Sequence, residues 1–168
     1  MNAPPVLATG RYMLVAQRCT VGFTARSLGL AVPGAMSVRS GEVVVDGTGA
    51  TVAAVLDAAS FRTRSARRDR DVRGPRFLDA GEHPDIVVTG RWDGPGTPVH
   101  GELTVRGVAA PVEIAVVEIA VLDVLTEGNA TTVRARARVD RRAFPVGPRS
   151  GPIGRWVDVE LEIPLVGV

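Results

Sequence analysis

Two segments near the end of the chain alternate strictly between apolar and other residues. Apolar residues occupy every second position of 133–139 and of 157–165. The positions between them hold arginine in the first segment and mainly acidic residues in the second. Successive side chains of a β-strand point to opposite faces, so a period of two is typical of antiparallel strands with one face in a core and the other in water. This pattern predicts a β protein.

Further apolar runs, separated by short turn sequences, extend this prediction to most of the chain. Strands are predicted at 12–18, 21–27, 35–46, 51–59, 85–93, 99–105, 112–125, 131–140 and 155–166. Residues 28–33 and 106–110 are predicted as connections, and 47–49 and 94–96 as tight turns. About eight antiparallel strands joined mostly by short turns indicate a sandwich or an up-and-down barrel, which the pattern alone does not distinguish.

The strands are interrupted once by a charged crossing, residues 60–84. Seven arginines lie between Arg62 and Arg76. Residues 65–73 are predicted as a short helix that Ser65 caps and Gly74 ends. Charge at this density does not enter a core unpaired, so the crossing must face water, carboxylates or an anionic ligand.

Length and composition limit the classes of protein that need to be considered. The 168 residues suggest one domain, with 1–10 as a loose leader and 11–168 as the folded part. No apolar run is long enough to span a membrane as a helix, and the first residues do not resemble a signal peptide, so a cytoplasmic location is expected. Cys19 is the only cysteine, which excludes an intrachain disulfide.

Catalytic and nucleic-acid functions are poorly supported. The two histidines, His83 and His100, show no metal-ligand spacing, so neither a metal nor another cofactor is expected. The formal net charge is only +2. Only Phe61 and Phe77 flank the arginine run as stacking residues, so nucleic acid is not expected as a partner.

Two blocks of the sequence match the motifs of a known family. The crossing matches at Ser60, Thr63, Arg68, Asp69, Arg73, Phe77, Asp79 and Pro84. The second block is 101–108, Gly-Glu-Leu-Thr-Val-Arg-Gly-Val, followed by Pro111 and Val112. The chain therefore resembles the YceI-like, polyisoprenoid-binding family from about residue 12 to residue 163. The resemblance implies an all-β fold, a single antiparallel eight-stranded lipocalin-like barrel with one short helical crossing, and no catalytic residues.

The chain departs from the family pattern at several positions, which marks a divergent member. Asp71 stands where the family usually has histidine, and Gly74 where it has serine. In 140–146, Ala143 replaces an aspartate and Pro145 a glycine. Proline removes an amide donor and fixes φ, so the local loop must differ.

The resemblance, together with the affinity of guanidinium groups for phosphate oxygens, suggests roles for the aromatic residues and for the crossing. The aromatic residues expected near an apolar tail are Phe23, Phe61, Phe77, Phe144 and Trp156. The arginines expected at an anionic headgroup are Arg62, Arg64, Arg70 and Arg76. The residues expected to hold the crossing together are Arg68, Asp69, Arg73 and Asp79. The alternatives are a crossing that is structural throughout and a barrel plugged by its own side chains, although small inward residues such as Ala135 and Ala137 favour a cavity.

The function expected from the resemblance is a non-catalytic carrier. Its ligand would be a long hydrophobic chain, such as an isoprenoid quinone, a polyprenyl phosphate or a fatty-acyl lipid. The alternative is an enzyme or enzyme accessory that uses the same cavity for an apolar substrate. The sequence does not determine the oligomeric state, and a homodimer is one of the states it allows.

Overall fold

The computed structural model describes residues 7–122 and 130–168, which form a closed antiparallel β-barrel. The strands are β1 Gly10–Leu14, β2 Thr20–Ser27, β3 Leu30–Asp46, β4 Gly49–Arg62, β5 Asp85–Trp92, β6 Val99–Val105, β7 Val108–Leu122, β8 Ala130–Asp140 and β9 Trp156–Gly167. One α-helix in this part of the chain, α1, spans Ala66–Arg73, and short 3-10 turns lie at Ala16–Arg18 and Arg141–Ala143. No helix among the described residues is long and apolar enough to cross a membrane.

The barrel has eight positions around its circumference, although nine strands build it. Strands β3 to β9 pair in sequence order, β2 pairs with both β3 and β9, and β1 also pairs with both β3 and β9. Strands β1 and β2 therefore share one position between β3 and β9, and the turn Ala16–Arg18 interrupts it. This confirms the eight-stranded barrel and excludes the sandwich. It also corrects the strand predicted at 12–18, whose last three residues form that turn.

The registers confirm the faces predicted from the period of two. Arg134 lies opposite Glu162 and Arg136 opposite Glu160 across β8 and β9. These charges form a ladder on the outer wall, where opposite charges across a strand pair stabilise the sheet. The apolar residues between them point into the barrel.

Two hairpin turns are shorter than the sequence predicts. Ser27 pairs with Leu30, so the turn is Leu28–Gly29, both with positive φ, and the predicted connection 28–33 is mostly strand. Arg106 and Gly107 form an equivalent two-residue turn before β7, where residues 106–110 were predicted. Two positive φ values suit the right-handed twist of the flanking strands. The predicted end of the next strand, residue 125, lies outside the described residues.

Helix α1 covers one end of the barrel, as the crossing predicts. It begins after Ser65, whose hydroxyl accepts a hydrogen bond from the backbone N–H of Arg68 at 3.2 Å. It ends at Arg73, and Gly74 follows in extended conformation. The predicted helix boundaries are therefore confirmed.

The barrel interior has two apolar clusters, one toward each end. The cluster at the helix end consists of Ala58, Phe61, Leu78, Ala80, Ile86, Val105 and Phe144. The cluster at the opposite end consists of Leu7, Tyr12, Val43, Val45, Ala50, Trp92, Val99 and Leu165. Leu7 falls within the predicted leader and is buried there, whereas residues 1–6 of that leader lie outside the described residues. Residues of both clusters line cavities in the barrel interior.

Candidate functional site

The larger cavity lies in the half of the barrel beneath α1. Its volume is about 420 Å³. Aliphatic side chains from most of the strands line it, together with Val72 and Leu78 from the crossing. We call this cavity the upper chamber. Its size falls within the usual range of small-molecule pockets, roughly 300–1,000 Å³.

A smaller cavity of about 150 Å³ lies beyond the upper chamber toward the opposite end. Every residue that lines this lower chamber is apolar, and Leu7 and Trp92 are among them. The residues that line both chambers are Val21, Leu56, Val88, Ile114 and Leu161. The two chambers thus adjoin at one ring of aliphatic side chains, so the hollow interior is long rather than round.

Four of the five predicted tail residues line the upper chamber. They are Phe23, Phe61, Phe77 and Phe144. The rings of Phe23 and Phe61 stack with centroids 5.0 Å apart and planes inclined by 21°. Gly34 permits this arrangement, because a Cβ built there would come within 2.4 Å of the Phe23 ring.

Trp156 does not lie in the cavity, contrary to the sequence prediction. Its side of β9 is the charged outer one, since Val157 and Val159 point inward. Trp156 is 41% exposed, and the guanidinium groups of Arg138 and Arg155 lie over its ring at 5.1 and 4.8 Å from the centroid. The tryptophan that faces the interior is Trp92, whose indole N–H donates to the carbonyl of Thr97 at 3.1 Å.

The polar rim of the upper chamber differs from the predicted headgroup set. Its polar side chains are Arg26 and Ser27 at the end of β2, Arg68 and Asp71 on α1, and Arg141 after β8. The four arginines predicted for a headgroup are exposed and do not line the chamber: Arg62, Arg64, Arg70 and Arg76. Arg62 instead donates to the hydroxyl of Ser37 and the carbonyl of Ser60, each at 3.2 Å.

The crossing is held by buried polar contacts at Asp69 and Arg73. Asp69 is buried, and its carboxylate accepts hydrogen bonds from the hydroxyl and backbone N–H of Thr63 at 2.7 and 2.8 Å. These bonds, together with the charges of Arg73 and Arg68, hold the pKa of Asp69 below its usual range despite burial. The guanidinium of Arg73 donates to the carbonyl of Phe61, with Nε at 2.9 Å. Both residues therefore tie α1 to the end of β4.

Asp79 stabilises the second half of the crossing. Its backbone is left-handed, with φ +49°, a conformation that aspartate tolerates better than most residues. Its carboxylate lies 3.8 Å from the guanidinium of Arg106. Arg106 also donates to the carbonyls of Phe77 and Pro145, at 3.1 and 3.0 Å. Arg106 thus links the crossing to the loop after β8.

Arg141 is a buried arginine that the sequence prediction of the site did not include. Its guanidinium donates to four backbone carbonyls at 2.8 to 3.1 Å, those of Val146, Pro148, Ile153 and Gly154. Burial lowers the pKa of Arg141. The residue organises the loop 144–154, which forms part of the upper chamber. In the sequence, Arg141 has no distinctive local pattern that would point to this role.

The described residues offer no arrangement typical of a metal site. No group of three His, Cys, Asp or Glu side chains in 7–122 and 130–168 is placed to hold a metal ion. His100 lies on the outer wall, 3.4 Å from Glu113. The thiol of Cys19 donates to the carbonyl of Val15, and burial raises its pKa, which makes it a poor nucleophile.

Comparison with known proteins agrees with this architecture. A YceI-like domain matches residues 12–165 of the chain. Protein YceI of Escherichia coli O157:H7 is 25% identical over 111 residues, which cover 64% of this chain and 58% of that protein. A UPF0312 protein of Pectobacterium atrosepticum is 28% identical over 116 residues, 67% of this chain and 59% of that protein. The match thus spans less than two thirds of the length of these relatives.

Solved structures share the fold at low sequence identity. BcnA of Burkholderia cenocepacia superposes with a TM-score of 0.72 at 19% identity, covering 90% of this chain and 98% of BcnA. A polyisoprenoid binding domain from Saccharophagus degradans, implicated in plant cell wall breakdown, superposes with a TM-score of 0.67 at 13% identity. The superposition covers 94% of this chain and 98% of that domain.

Proposed function

Because the chain belongs to the YceI-like domain family, we propose that it is a non-catalytic carrier that holds a long hydrophobic chain inside its barrel. The observation that carries this proposal is the pair of adjoining chambers, about 420 and 150 Å³, whose common wall is wholly aliphatic. An apolar ligand that enters a cavity lined by apolar groups removes its own apolar surface from water, which is favourable. The polyisoprenoid binding domain with the same fold supports the same class of ligand.

The tail of the ligand would run along the phenylalanines of the upper chamber. Phe23, Phe61, Phe77 and Phe144 all line it. The far end of the tail would pass the aliphatic ring and enter the lower chamber. This arrangement suits an unbranched or regularly branched chain, such as an isoprenoid quinone, a polyprenyl phosphate or a fatty-acyl lipid.

The headgroup would lie at the rim, where two arginines replace the predicted set. Arg26 and Arg68 both line the upper chamber and both belong to its polar rim. Guanidinium groups bind phosphate or carboxylate oxygens with two parallel hydrogen bonds. Asp71 on the same rim opposes a doubly charged headgroup and favours one with few charges.

Ligand uptake can be tested directly. The purified protein is mixed with a C16 fatty acid, an isoprenoid quinone or a polyprenyl phosphate, and is followed by native mass spectrometry and thermal melting. We expect a one-to-one complex and a higher melting temperature with at least one of them, since a ligand that binds only the folded state stabilises it.

A matched pair of variants locates the ligand. Ala137→Phe places bulk in the upper chamber, whereas Val117→Phe places the same bulk on the outer wall, where Val117 is 53% exposed. Ligand uptake should decrease in Ala137→Phe and should be unchanged in Val117→Phe. A parent protein that neither carries nor takes up any of the three probes would contradict the proposal.

A further inference from the structure

Two leucines at the tip of the β2–β3 hairpin are almost fully exposed. Leu28 is 80% exposed and Leu30 is 72% exposed. Leu28 also has a left-handed backbone, with φ +53°, in a turn where asparagine or glycine would be unstrained. The sequence thus retains an apolar side chain at a position that costs backbone energy and gains no burial. Folding alone does not explain this choice.

The leucine tip lies at the rim of the upper chamber. Arg26 and Ser27, which immediately precede the tip, line the chamber, as does Ile153. Ser27 pairs with Ile153, and the backbone N–H of Leu28 donates to the carbonyl of Pro152 at 3.0 Å. The tip is therefore anchored beside the rim and projects beyond it.

Positive charge is concentrated on the side of the rim that α1 forms. Arg64, Arg67 and Arg70 lie on or just before α1 and are exposed, and Arg68 lines the chamber. The helix contributes two acids to this region. Asp69 is buried and bound to Thr63, and Asp71 is exposed on the rim. The helical side of the rim therefore carries an excess of guanidinium groups.

We propose that this rim docks on a lipid bilayer that contains anionic phospholipid. Leu28 and Leu30 would enter the boundary between headgroups and acyl chains, and the arginines of α1 would contact lipid phosphates. Two leucines cover far less than the roughly 800 Å² per partner that a stable protein interface buries, which favours a membrane over a protein partner. A bilayer also supplies what this geometry needs, an apolar layer directly in front of an apolar cavity.

The test measures binding to vesicles by co-sedimentation. Vesicles of pure phosphatidylcholine are compared with vesicles that contain about one quarter phosphatidylglycerol, at low and at physiological salt. We expect the parent protein to bind the anionic vesicles and to bind less as salt increases. Absence of binding to the anionic vesicles would overturn the proposal.

Two sets of variants, each with a matched control, identify the surface. Leu28→Asn with Leu30→Thr should lower vesicle partitioning about tenfold, because the two leucine side chains that would enter the bilayer are lost. Val117→Thr, which changes an exposed valine on the outer wall, should leave partitioning unchanged. Asparagine suits the left-handed position of Leu28, so this variant keeps the turn. Equal binding by the parent and the double variant would overturn the proposal.

The charge variants make the second set. Arg64→Gln, Arg67→Gln and Arg70→Gln combined should weaken binding and flatten its salt dependence. A control with the same loss of charge on the side of the barrel combines Arg18→Gln, Arg134→Gln and Arg136→Gln. Equal weakening by both sets would mean that only net charge matters, which contradicts a specific docking surface.

Two further readouts separate this inference from the carrier function and from self-association. Uptake of a lipid chain is measured on the same variants by native mass spectrometry. If the protein takes up the lipid chain but does not bind vesicles, the membrane-docking proposal is contradicted and the carrier function is not. If it binds vesicles but takes up no lipid chain, the carrier function is contradicted and membrane docking is not. A concentration-dependent dimer that the leucine double variant abolishes would assign the tip to a second copy instead.

Discussion

The carboxylate of Asp69 accepts two hydrogen bonds from Thr63, one from its hydroxyl and one from its backbone N–H. The partners are six positions apart in the sequence, and the contact folds the start of α1 back onto the end of β4. Because Asp69 is buried, its removal leaves the N–H of Thr63 without this acceptor. This contact, like that of Arg73 with the carbonyl of Phe61, holds the crossing from within rather than through its exposed charges.

Asp69→Ala should lower the melting temperature by several degrees in the absence of any ligand. The physical reason is the loss of both bonds to Thr63 in a buried position. Arg70→Ala, one residue away on the exposed side of α1, should melt almost like the parent. Thermal melts followed by circular dichroism compare the two variants. An unchanged melting temperature for Asp69→Ala would contradict the structural role proposed for Asp69.

Stability should decrease at acidic pH, partly because Asp69 becomes protonated. The folded state holds the pKa of Asp69 below its usual value, which is about 3.9 in an unfolded chain. Its contribution to stability is therefore complete above about pH 4 and is lost as the pH falls through the folded pKa. The free energy of unfolding, measured between about pH 6 and pH 2, should fall less steeply in Asp69→Asn than in the parent. If the free energy of unfolding depended on pH in the same way in Asp69→Asn and in the parent, the contribution assigned to Asp69 would be contradicted.

Arg141→Lys should destabilise the protein although it conserves the charge. An ammonium group cannot reach the four carbonyls that the guanidinium of Arg141 binds, so some stay buried without a donor. The expected cost is about 3 kcal/mol. Arg142→Lys, at an exposed neighbouring position, is the control. Urea unfolding measures both, and a cost equal to that of the control would show that the loop is held by other contacts.

Ala54→Leu should shorten the longest chain that the barrel accepts. Ala54 lines the lower chamber, whereas its neighbour Ala53 is exposed. A larger side chain at Ala54 fills the space that the far end of a long tail would enter. Native mass spectrometry with a series of fatty acids compares Ala54→Leu with Ala53→Leu. The cutoff should move to shorter chains only in the first variant, and an unchanged cutoff would confine the ligand to the upper chamber.

Much of the wall could be predicted because its signal is periodic. The alternation around Arg134 and Arg136 assigned the outer face correctly, and Ser65 marked the start of α1. The same alternation already placed Trp156 on the outer face with the charged residues of β9. Its prediction as a cavity residue followed its aromatic character instead of this parity, and the structure places it outside the cavity.

The turns and the rim could not be predicted in the same way. Leucine and arginine disfavour a left-handed backbone, so Leu28 and Arg106 gave no turn signal of the usual kind. The rim joins Arg26 of β2 to Arg68 of α1, residues that only the closure of the barrel brings to one opening. Contacts of Arg141 with distant carbonyls likewise depend on the path of a loop, which no local pattern encodes.

The two tryptophans stand in opposite environments, and this gives the barrel an optical signal of its own. Trp92 lines the lower chamber, whereas Trp156 lies outside between two arginines. The fluorescence of Trp92 depends on what occupies the lower chamber beside its ring. The fluorescence of Trp156 depends on the ions in solution around the outer wall. Replacing Trp156 with phenylalanine leaves Trp92 as the one tryptophan, so the arrival of a ligand at the far end of the barrel becomes visible as a change in the wavelength and intensity of tryptophan fluorescence without any added label.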